Sequence, residues 1–189
     1  GKLSIIDGSS NLDKMLKIVN DKYEAEAEDA APMNYVDIEH LVFNNVGVAI
    51  DGPDKKGITM KHNVFVNGNG NNTGEAAMES YIEVKNSKYV IENNIFLRGQ
   101  QYPGRGITTY GTKNTTIKNN FFGNLDGIND AKKMIPEIAS KLSLMNTSDL
   151  IEGEQGNFFT AISNERYDTN VLIQKNYFNL MKTSNVLSD

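Results

Sequence analysis

One eight-residue pattern recurs five times along the chain, and this repeat constrains the fold more than any other feature of the sequence. Each copy alternates apolar and polar residues, reaches a polar pair and ends on phenylalanine. The copies are VDIEHLVF (36–43), ITMKHNVF (58–65), YVIENNIF (89–96), TTIKNNFF (115–122) and VLIQKNYF (171–178). Successive phenylalanines lie 22, 31, 26 and 56 residues apart. A unit of about two dozen residues that recurs with insertions is typical of a solenoid, whose units stack on their neighbours.

Aligned on the final phenylalanine, the copies place the same residue types in the same columns. The anchors are Phe43, Phe65, Phe96, Phe122 and Phe178, and five residues earlier stand Ile38, Met60, Ile91, Ile117 and Ile173. Two residues before the anchor stand Asn63, Asn94, Asn120 and Asn176, with Leu41 as the exception. Alternation with period two predicts strands, and asparagine tolerates the bends between them. The alignment therefore predicts an inward apolar column and a hydrogen-bonded asparagine ladder, which gives much of the excess of 25 asparagines an architectural role.

A second short strand is expected between the anchored copies. The segments are GVAID (47–51), SYIEVK (80–85), GITTYG (106–111) and TAISN (160–164). With these strands the sequence resembles right-handed parallel β-helix proteins of the pectin-lyase-like group, which includes polysaccharide lyases, epimerases and phage tailspikes. The resemblance covers roughly residues 36–124 and 158–180, and its motif belongs to the fold rather than to a catalytic site. It implies an all-β, right-handed parallel β-helix solenoid of about five or six coils.

Two segments outside the repeat are predicted to be helical. Residues 9–30 place apolar residues at helical spacing, which predicts an N-terminal helical cap over the first coil. Residues 129–146 predict a short helical insertion, with Pro136 tolerable only near a first turn. The predicted organisation is an N-terminal strand and helical cap over residues 1–34, then the parallel β-helix over residues 35–189 with the insertion near residues 129–155.

The composition of the chain disfavours several classes of partner and site. Nineteen Lys and Arg against 24 Asp and Glu give a net charge of −5, which disfavours nucleic acid as a partner. The absence of cysteine excludes a disulfide framework, zinc–thiolate sites and thiol catalysis. Apolar runs fall far short of the ~20 residues that a membrane span requires, so no membrane span is expected. Because the chain begins with Gly1 rather than Met, we expect a processed product or part of a larger parent chain.

The candidate site lies where outward residues of neighbouring coils meet. Successive parallel strands lie ~4.8 Å apart, so one column gathers groups that are distant in sequence. If Ile50 and Ile82 point inward at the same level, Asp51 and Glu83 become adjacent outward carboxylates, and Thr108 and Ser163 continue that column. On the SYIEVK strand we expect an outward face made of Glu79, Tyr81, Glu83 and Lys85, with Arg105 and Tyr110 one coil further on.

These residue types suit chemistry on a glycan. An Arg or a metal ion can neutralise a uronate carboxylate while a Lys, Arg or Tyr removes the neighbouring proton. The candidate catalytic residues are therefore Lys85, Arg105 and Tyr110; the substrate-binding candidates are Tyr81 and Asp51; the metal candidates are Glu79 and Glu83, with calcium as the candidate cofactor. Paired carboxylates could instead hydrolyse a glycosidic bond. Alternatively, these charged residues have no role in binding or catalysis and form only a solvent-exposed face.

The functional expectation is a polysaccharide-interacting domain, with a lyase-like activity on acidic glycans as its catalytic form. The alternative is a non-catalytic structural or adhesive β-helix, such as part of a phage tailspike or cell-surface protein, which would tend to form a homotrimer. Either version predicts an extracellular, cell-surface or virion location. His40 and His62 occupy equivalent repeat positions and are expected to stack on neighbouring coils, as hydrogen-bonded turn residues or in a metal or acid–base role.

Overall fold

The structure, a computed structural model, describes residues 3–7, 14–19, 36–44, 46–51, 57–67, 80–86, 88–97, 105–124, 127–144 and 160–179. Short strands make up most of this part of the chain, together with two short helices. In chain order the elements are β1 (Ser4–Asp7), β2 (Lys14–Val19), β3 (Val36–Glu39), β4 (Leu41–Asn44), β5 (Gly47–Asp51), β6 (Ile58–Lys61), β7 (Val64–Val66), β8 (Ser80–Lys85), β9 (Tyr89–Glu92), β10 (Ile95–Leu97), β11 (Arg105–Tyr110), β12 (Thr116–Lys118), β13 (Phe121–Gly123), α1 (Ile128–Met134), α2 (Pro136–Leu142), β14 (Thr160–Asn164), β15 (Leu172–Gln174) and β16 (Tyr177–Phe178).

The strands form three all-parallel sheets, in which each strand pairs with the strand three positions further along the chain. Sheet A contains β1, β4, β7, β10, β13 and β16; sheet B contains β2, β5, β8, β11 and β14; sheet C contains β3, β6, β9, β12 and β15. Consecutive strands therefore enter different sheets, and each set of three contributes one strand to every sheet. The prediction of an all-β fold with parallel strands is confirmed. The four predicted second strands are also confirmed, as β5, β8, β11 and β14 of sheet B.

The predicted phenylalanine column forms a continuous stack inside the three sheets. Ring centroids of successive anchors lie 4.7, 4.9, 4.8 and 5.3 Å apart, with interplanar angles of 13° or less. The aliphatic column is in register beside it, since Met60 pairs with both Ile38 and Ile91. Phe65 and Phe96 are fully buried, whereas Phe178 is 43% exposed on the last described strand of sheet A. Apolar burial along these columns supplies the main stabilisation of the sheets.

The predicted asparagine ladder is present as well. The Asn94 side-chain amide donates to the Met60 carbonyl oxygen at 2.9 Å and to Asn120 Oδ1 at 3.0 Å. Asn94 Oδ1 in turn accepts from the Asn63 backbone N–H at 3.0 Å and from Asn63 Nδ2 at 3.1 Å. At the first position, where Leu41 replaces asparagine, its backbone N–H donates to Asn63 Oδ1 at 3.1 Å. The ladder satisfies polar groups that would otherwise be buried without a partner.

The residue before each ladder position turns the chain from sheet C into sheet A. All five residues at this position have left-handed backbone angles: His40 (φ 58), His62 (φ 56), Asn93 (φ 55), Asn119 (φ 53) and Lys175 (φ 53). Asparagine accepts this conformation more readily than most residues because its short polar side chain bonds locally. The polar pair in the sequence repeat therefore consists of a turn residue followed by a ladder residue.

The two helices cover the outer face of sheet A and build a second apolar core there. Ile135, Ile138 and Leu142 are buried against the outward side chains of Val64 and other sheet A residues. The predicted insertion is thus helical, but it is divided in two at Ile135. Pro136 occupies the first turn of α2, where its missing N–H costs nothing, and its ring prevents α1 from continuing. The part of the predicted insertion beyond residue 144 lies outside the described residues.

The predicted N-terminal helical cap is wrong over the residues that the structure describes. Residues 14–19 form strand β2, which pairs with β5 from Lys14 opposite Gly47 to Val19 opposite Asp51. The apolar residues in this short segment fit both a helix and a strand, and pairing with the edge of sheet B decides between them. The remaining residues of the predicted helix, 9–13 and 20–30, lie outside the described residues, and so does the boundary near residue 34.

Candidate functional site

The outer face of sheet C carries charges that neutralise one another. Lys61 Nζ lies 2.9 Å from Glu39 Oε1, and Lys118 Nζ lies 2.8 Å from Glu92 Oε2. These four residues occupy one column, in which acidic and basic side chains alternate from strand to strand. The hydrogen bond and the negative charge of Glu39 raise the pKa of Lys61. Both pairs join neighbouring strands, so they act as cross-strand contacts.

The outer face of sheet B instead holds an open groove of about 240 Å³. Its lining residues are Ser80, Glu83, Lys85, Arg105, Thr108, Tyr110 and Glu165. Four of the predicted site residues therefore lie together: Glu83, Lys85, Arg105 and Tyr110. The volume is below the roughly 300–1,000 Å³ of pockets that enclose small molecules, which suits a short part of an extended ligand that continues beyond the groove.

The register between neighbouring strands explains why these groove residues lie together. Across β8 and β11, Thr108 lies opposite Glu83 and Tyr110 lies opposite Lys85. The predicted column of Glu83, Thr108 and Ser163 is confirmed, since Ser163 of β14 lies opposite Thr108. The hydroxyl oxygens of Ser80 and Thr108 are 2.6 Å apart, so one of them donates to the other. Residues distant in sequence thus share one surface.

Two ion pairs lie in the groove. Lys85 Nζ lies 2.9 Å from Glu83 Oε1 within β8, and Arg105 Nη1 lies 3.0 Å from Glu165 Oε1. All four side chains are between 35% and 41% exposed. Arg105 begins β11, whereas Glu165 follows the end of β14, so their pair extends lengthwise along the face. Partly exposed groups of both signs can exchange these contacts for a ligand's hydroxyls or carboxylates at modest cost.

An aromatic pair stands at one end of the groove. The rings of Tyr110 and Tyr167 are 5.9 Å apart and nearly perpendicular, at 84°. Tyr167 is 74% exposed. Tyr110 therefore brings a second, exposed ring next to the groove that it lines.

Tyr81 does not share the predicted outward face. Its side chain is fully buried, its ring packs against Phe65 and Phe96, and its hydroxyl donates to the Leu97 carbonyl oxygen at 2.6 Å. The alternation of β8 is interrupted, because Tyr81 and Ile82 are both buried while their neighbours face the groove. The expectation of Tyr81 as a substrate contact is therefore wrong in its placement.

Asp51 is displaced from its predicted neighbour. It lies opposite Lys85 rather than Glu83, because Ile50 pairs with Val84 and not with Ile82. The predicted placement of Asp51 opposite Glu83 is therefore wrong in register, although Asp51 does belong to a strand of sheet B. Glu79, the other metal candidate, lies outside the described residues.

Calcium was the predicted cofactor, and its ligands are carboxylate and other oxygen atoms. They contain no cluster of three or more His, Asp or Glu side chains that could hold a metal ion. Calcium prefers six to eight oxygen ligands, whereas the groove carboxylates of Glu83 and Glu165 each face a cation. Because Glu79 is not described, calcium stays a prediction from the sequence.

His40 and His62 stack as predicted, with ring centroids 5.0 Å apart and an interplanar angle of 16°. The Nδ1 atoms of both rings are buried without a hydrogen-bond partner, unlike the hydrogen-bonded turn histidines that were expected. Burial, the nearby Lys141 ammonium and the His62 ring lower the pKa of His40 from its ordinary value of 6.5. Their turn position and cationic surroundings favour an architectural role over metal binding.

Glu165 and Tyr167 were missed by the sequence reasoning. Both follow the TAISN strand, which was predicted, but the prediction ended that strand at Asn164. The Glu165 backbone N–H donates to the Thr109 carbonyl oxygen at 2.9 Å, so the pairing continues one residue further. Extending the column from Tyr110 to the next strand would have found Glu165.

Comparisons with protein-family models, curated proteins and solved structures give no match for this chain. Within the described part of the chain, neither helix has the length and apolar character needed to cross a membrane.

Proposed function

We propose that the chain is a right-handed parallel β-helix whose sheet B groove binds an extended polysaccharide. The observation that carries the proposal is the meeting of Lys85, Arg105 and Tyr110 with two carboxylates in one open groove. The order of the strands in the three sheets supports the β-helix, because each strand pairs with the strand three positions further on.

Groove chemistry supports a glycan as the ligand. A sugar presents many hydroxyls, and the carboxylates of Glu83 and Glu165 can accept hydrogen bonds from them. Lys85 and Arg105 can donate to ring and hydroxyl oxygens, or to the carboxylate of an acidic sugar. The open form of the groove suits a polymer, which enters from the side and continues past both ends.

Binding is tested by affinity electrophoresis of the whole chain in gels that contain polygalacturonate, alginate, hyaluronan, mannan or hydroxyethylcellulose. The test variant is Lys85→Met. The matched control is Lys118→Met, because Lys118 is similarly exposed and similarly paired with a glutamate, but lies on sheet C. We expect at least one polymer to retard the wild-type chain and the control alike, with Lys85→Met retarded less. Retardation by none of the polymers would refute the proposal. Equal loss of retardation in Lys85→Met and Lys118→Met would show that the sheet B groove is not the binding site.

The convergence of Lys85, Arg105 and Tyr110 also favours a second candidate, β-elimination of a uronic-acid polymer. Arg105 would neutralise the sugar carboxylate after exchanging Glu165 for it, and Tyr110 or Lys85 would be the base that removes the proton on C5. The electron pair of that C–H bond forms the C4–C5 double bond, while the C4–O bond breaks and the leaving oxygen takes up a proton.

The activity test follows the ultraviolet absorbance of the unsaturated product on the three acidic polymers, with and without calcium. Product that disappears in Arg105→Gln but persists in Lys118→Met supports elimination. Binding without product on any polymer assigns the groove to adhesion, the non-catalytic alternative that includes tailspike-like proteins. The mass of the protein assembly in solution further distinguishes the enzyme from the adhesive β-helix, since tailspike-like β-helices are expected to form trimers.

A further inference from the structure

Tyr167 occupies a corner where the chain turns out of sheet B. The corresponding corners after β8 and β11 also contain a residue with left-handed backbone angles: Asn86 (φ 57) and Gly111 (φ 62). Tyr167 takes the same conformation, with φ 72. Glycine and asparagine tolerate these angles, whereas tyrosine pays a steric cost for them because its Cβ crowds the following carbonyl oxygen.

The corner that contains Tyr167 is one residue longer than the preceding corner. Thr109 lies opposite Asn164, and the next matched pair is Lys113 opposite Thr169. The interval is thus four residues after β11 and five after β14. Counting back from the second pair, Tyr167 takes the place that Gly111 holds in the preceding corner.

Burial does not account for a tyrosine at this position. The side chain is 74% exposed, so little burial compensates for the strained backbone. Its ring makes an edge-to-face contact with Tyr110, which itself lines the groove. A residue held in an unfavourable conformation beside a binding surface points to a role in function.

We propose that Tyr167 is a sugar-stacking residue, which holds a pyranose ring of the bound polymer against its exposed aromatic face. The proposal rests on the proposed function and adds the chemistry of the ligand: a sugar ring that presents an apolar face of C–H groups, with hydroxyls at its edge. Tyr110 orients the Tyr167 ring through the perpendicular contact. The polar groove residues then bind the hydroxyls of the same sugar or its neighbour.

The variants Tyr167→Gly and Tyr167→Phe test the proposal. Glycine removes the ring and relieves the backbone, so we expect unchanged or increased stability in urea together with about tenfold weaker binding to the polymer that retards the wild-type chain. Phenylalanine keeps the aromatic face and should bind within about twofold of wild type. Tyr177→Ala is the matched control, because it removes a partly exposed tyrosine from sheet A and should leave binding unchanged.

Each other outcome counts against a specific step. If the wild-type chain binds but Tyr167→Gly binds equally well, the stacking proposal is overturned while the proposed function stands. If Tyr167→Phe loses as much affinity as Tyr167→Gly, the contact depends on the hydroxyl and not on the ring face. If Tyr167→Gly is clearly less stable than wild type, Tyr167 has a structural role and the proposal falls. If the wild-type chain binds none of the five polymers, the proposed function and this inference fail together.

Discussion

Replacement of Asn94 by alanine removes the centre of the asparagine ladder. Asn94 is fully buried, and its side chain takes part in four hydrogen bonds: it donates to the Met60 carbonyl and to Asn120 Oδ1, and it accepts two bonds from Asn63. Alanine leaves the Met60 carbonyl and both Asn63 donors without these partners. Water cannot replace the side chain without opening the sheets.

The expected cost is about 4 kcal/mol, from four bonds at about 1 kcal/mol each. Asn176→Ala provides a matched control at the end of the same ladder. Asn176 donates to the Ile117 carbonyl and accepts two bonds from Asn120, but it is only half-buried, so water can replace part of what is lost. We expect a cost of about 1 kcal/mol there.

Urea denaturation followed by far-ultraviolet circular dichroism measures both costs. With a slope of about 2–3 kcal/mol per molar urea, the midpoint should fall by about 1.5–2 M in Asn94→Ala and by less than about 0.5 M in Asn176→Ala. The slope itself should not change. Equal midpoints for the two variants would refute the claim that buried ladder hydrogen bonds hold the three sheets together. In that case the asparagines would serve only to form the turns.

Two further predictions concern the core and the turn residues. Phe96→Ala, between the rings of Phe65 and Phe122, should cost about 3–5 kcal/mol in urea melts, and Phe178→Ala, at the exposed end of the stack, less than half as much; equal costs would contradict the stack as a source of stability. Burial, Lys141, His62 and Lys61 lower the pKa of His40, and the charge of Glu39 opposes them. The unfolded chain therefore binds more protons than the folded chain. Stability is lost as the pH falls from 6.5 through the folded-state pKa. His40→Asn should reduce this loss between about pH 7.5 and 5.5 in thermal melts, and the same pH slope in both proteins would contradict the assignment.

The sequence predicts the repeated part of the fold well because each repeat position has one physical role. The phenylalanine and asparagine columns pair with themselves from strand to strand, so alignment of the five copies is enough to place them. β2 shows the limit of this approach: Lys14–Val19 has no aligned copy, and only its pairing with β5 makes it a strand. Local apolar spacing could not reveal that partner.

The candidate site was harder to predict because it depends on register across strands. Alignment of Ile50 with Ile82 gave the wrong neighbour for Asp51, which lies opposite Lys85, two residues further along β8. The predicted outward position of Tyr81 was wrong for a different reason. The break in alternation at Tyr81–Ile82 arises because Tyr81 packs against Phe65 and Phe96. Lys85 and Tyr110 were unaffected because they lie opposite one another and alternate regularly with Glu83 and Thr108, whereas Arg105 lines the groove on the other side of the same break in alternation.

The ion pairs on sheets C and B run in different directions relative to the strands. On sheet C, each described pair joins neighbouring strands, as Glu39 and Lys61 do between β3 and β6, so the charges contribute directly to stacking. On sheet B, the Glu83–Lys85 pair lies within β8, whereas the Arg105–Glu165 pair joins β11 to the residue that follows β14. The contact between Glu83 and Lys85 itself therefore adds no link between neighbouring strands. By this reasoning, a ligand that displaces Glu83 from Lys85 should leave the stability of the sheets nearly unchanged, while breaking Glu39–Lys61 should lower it.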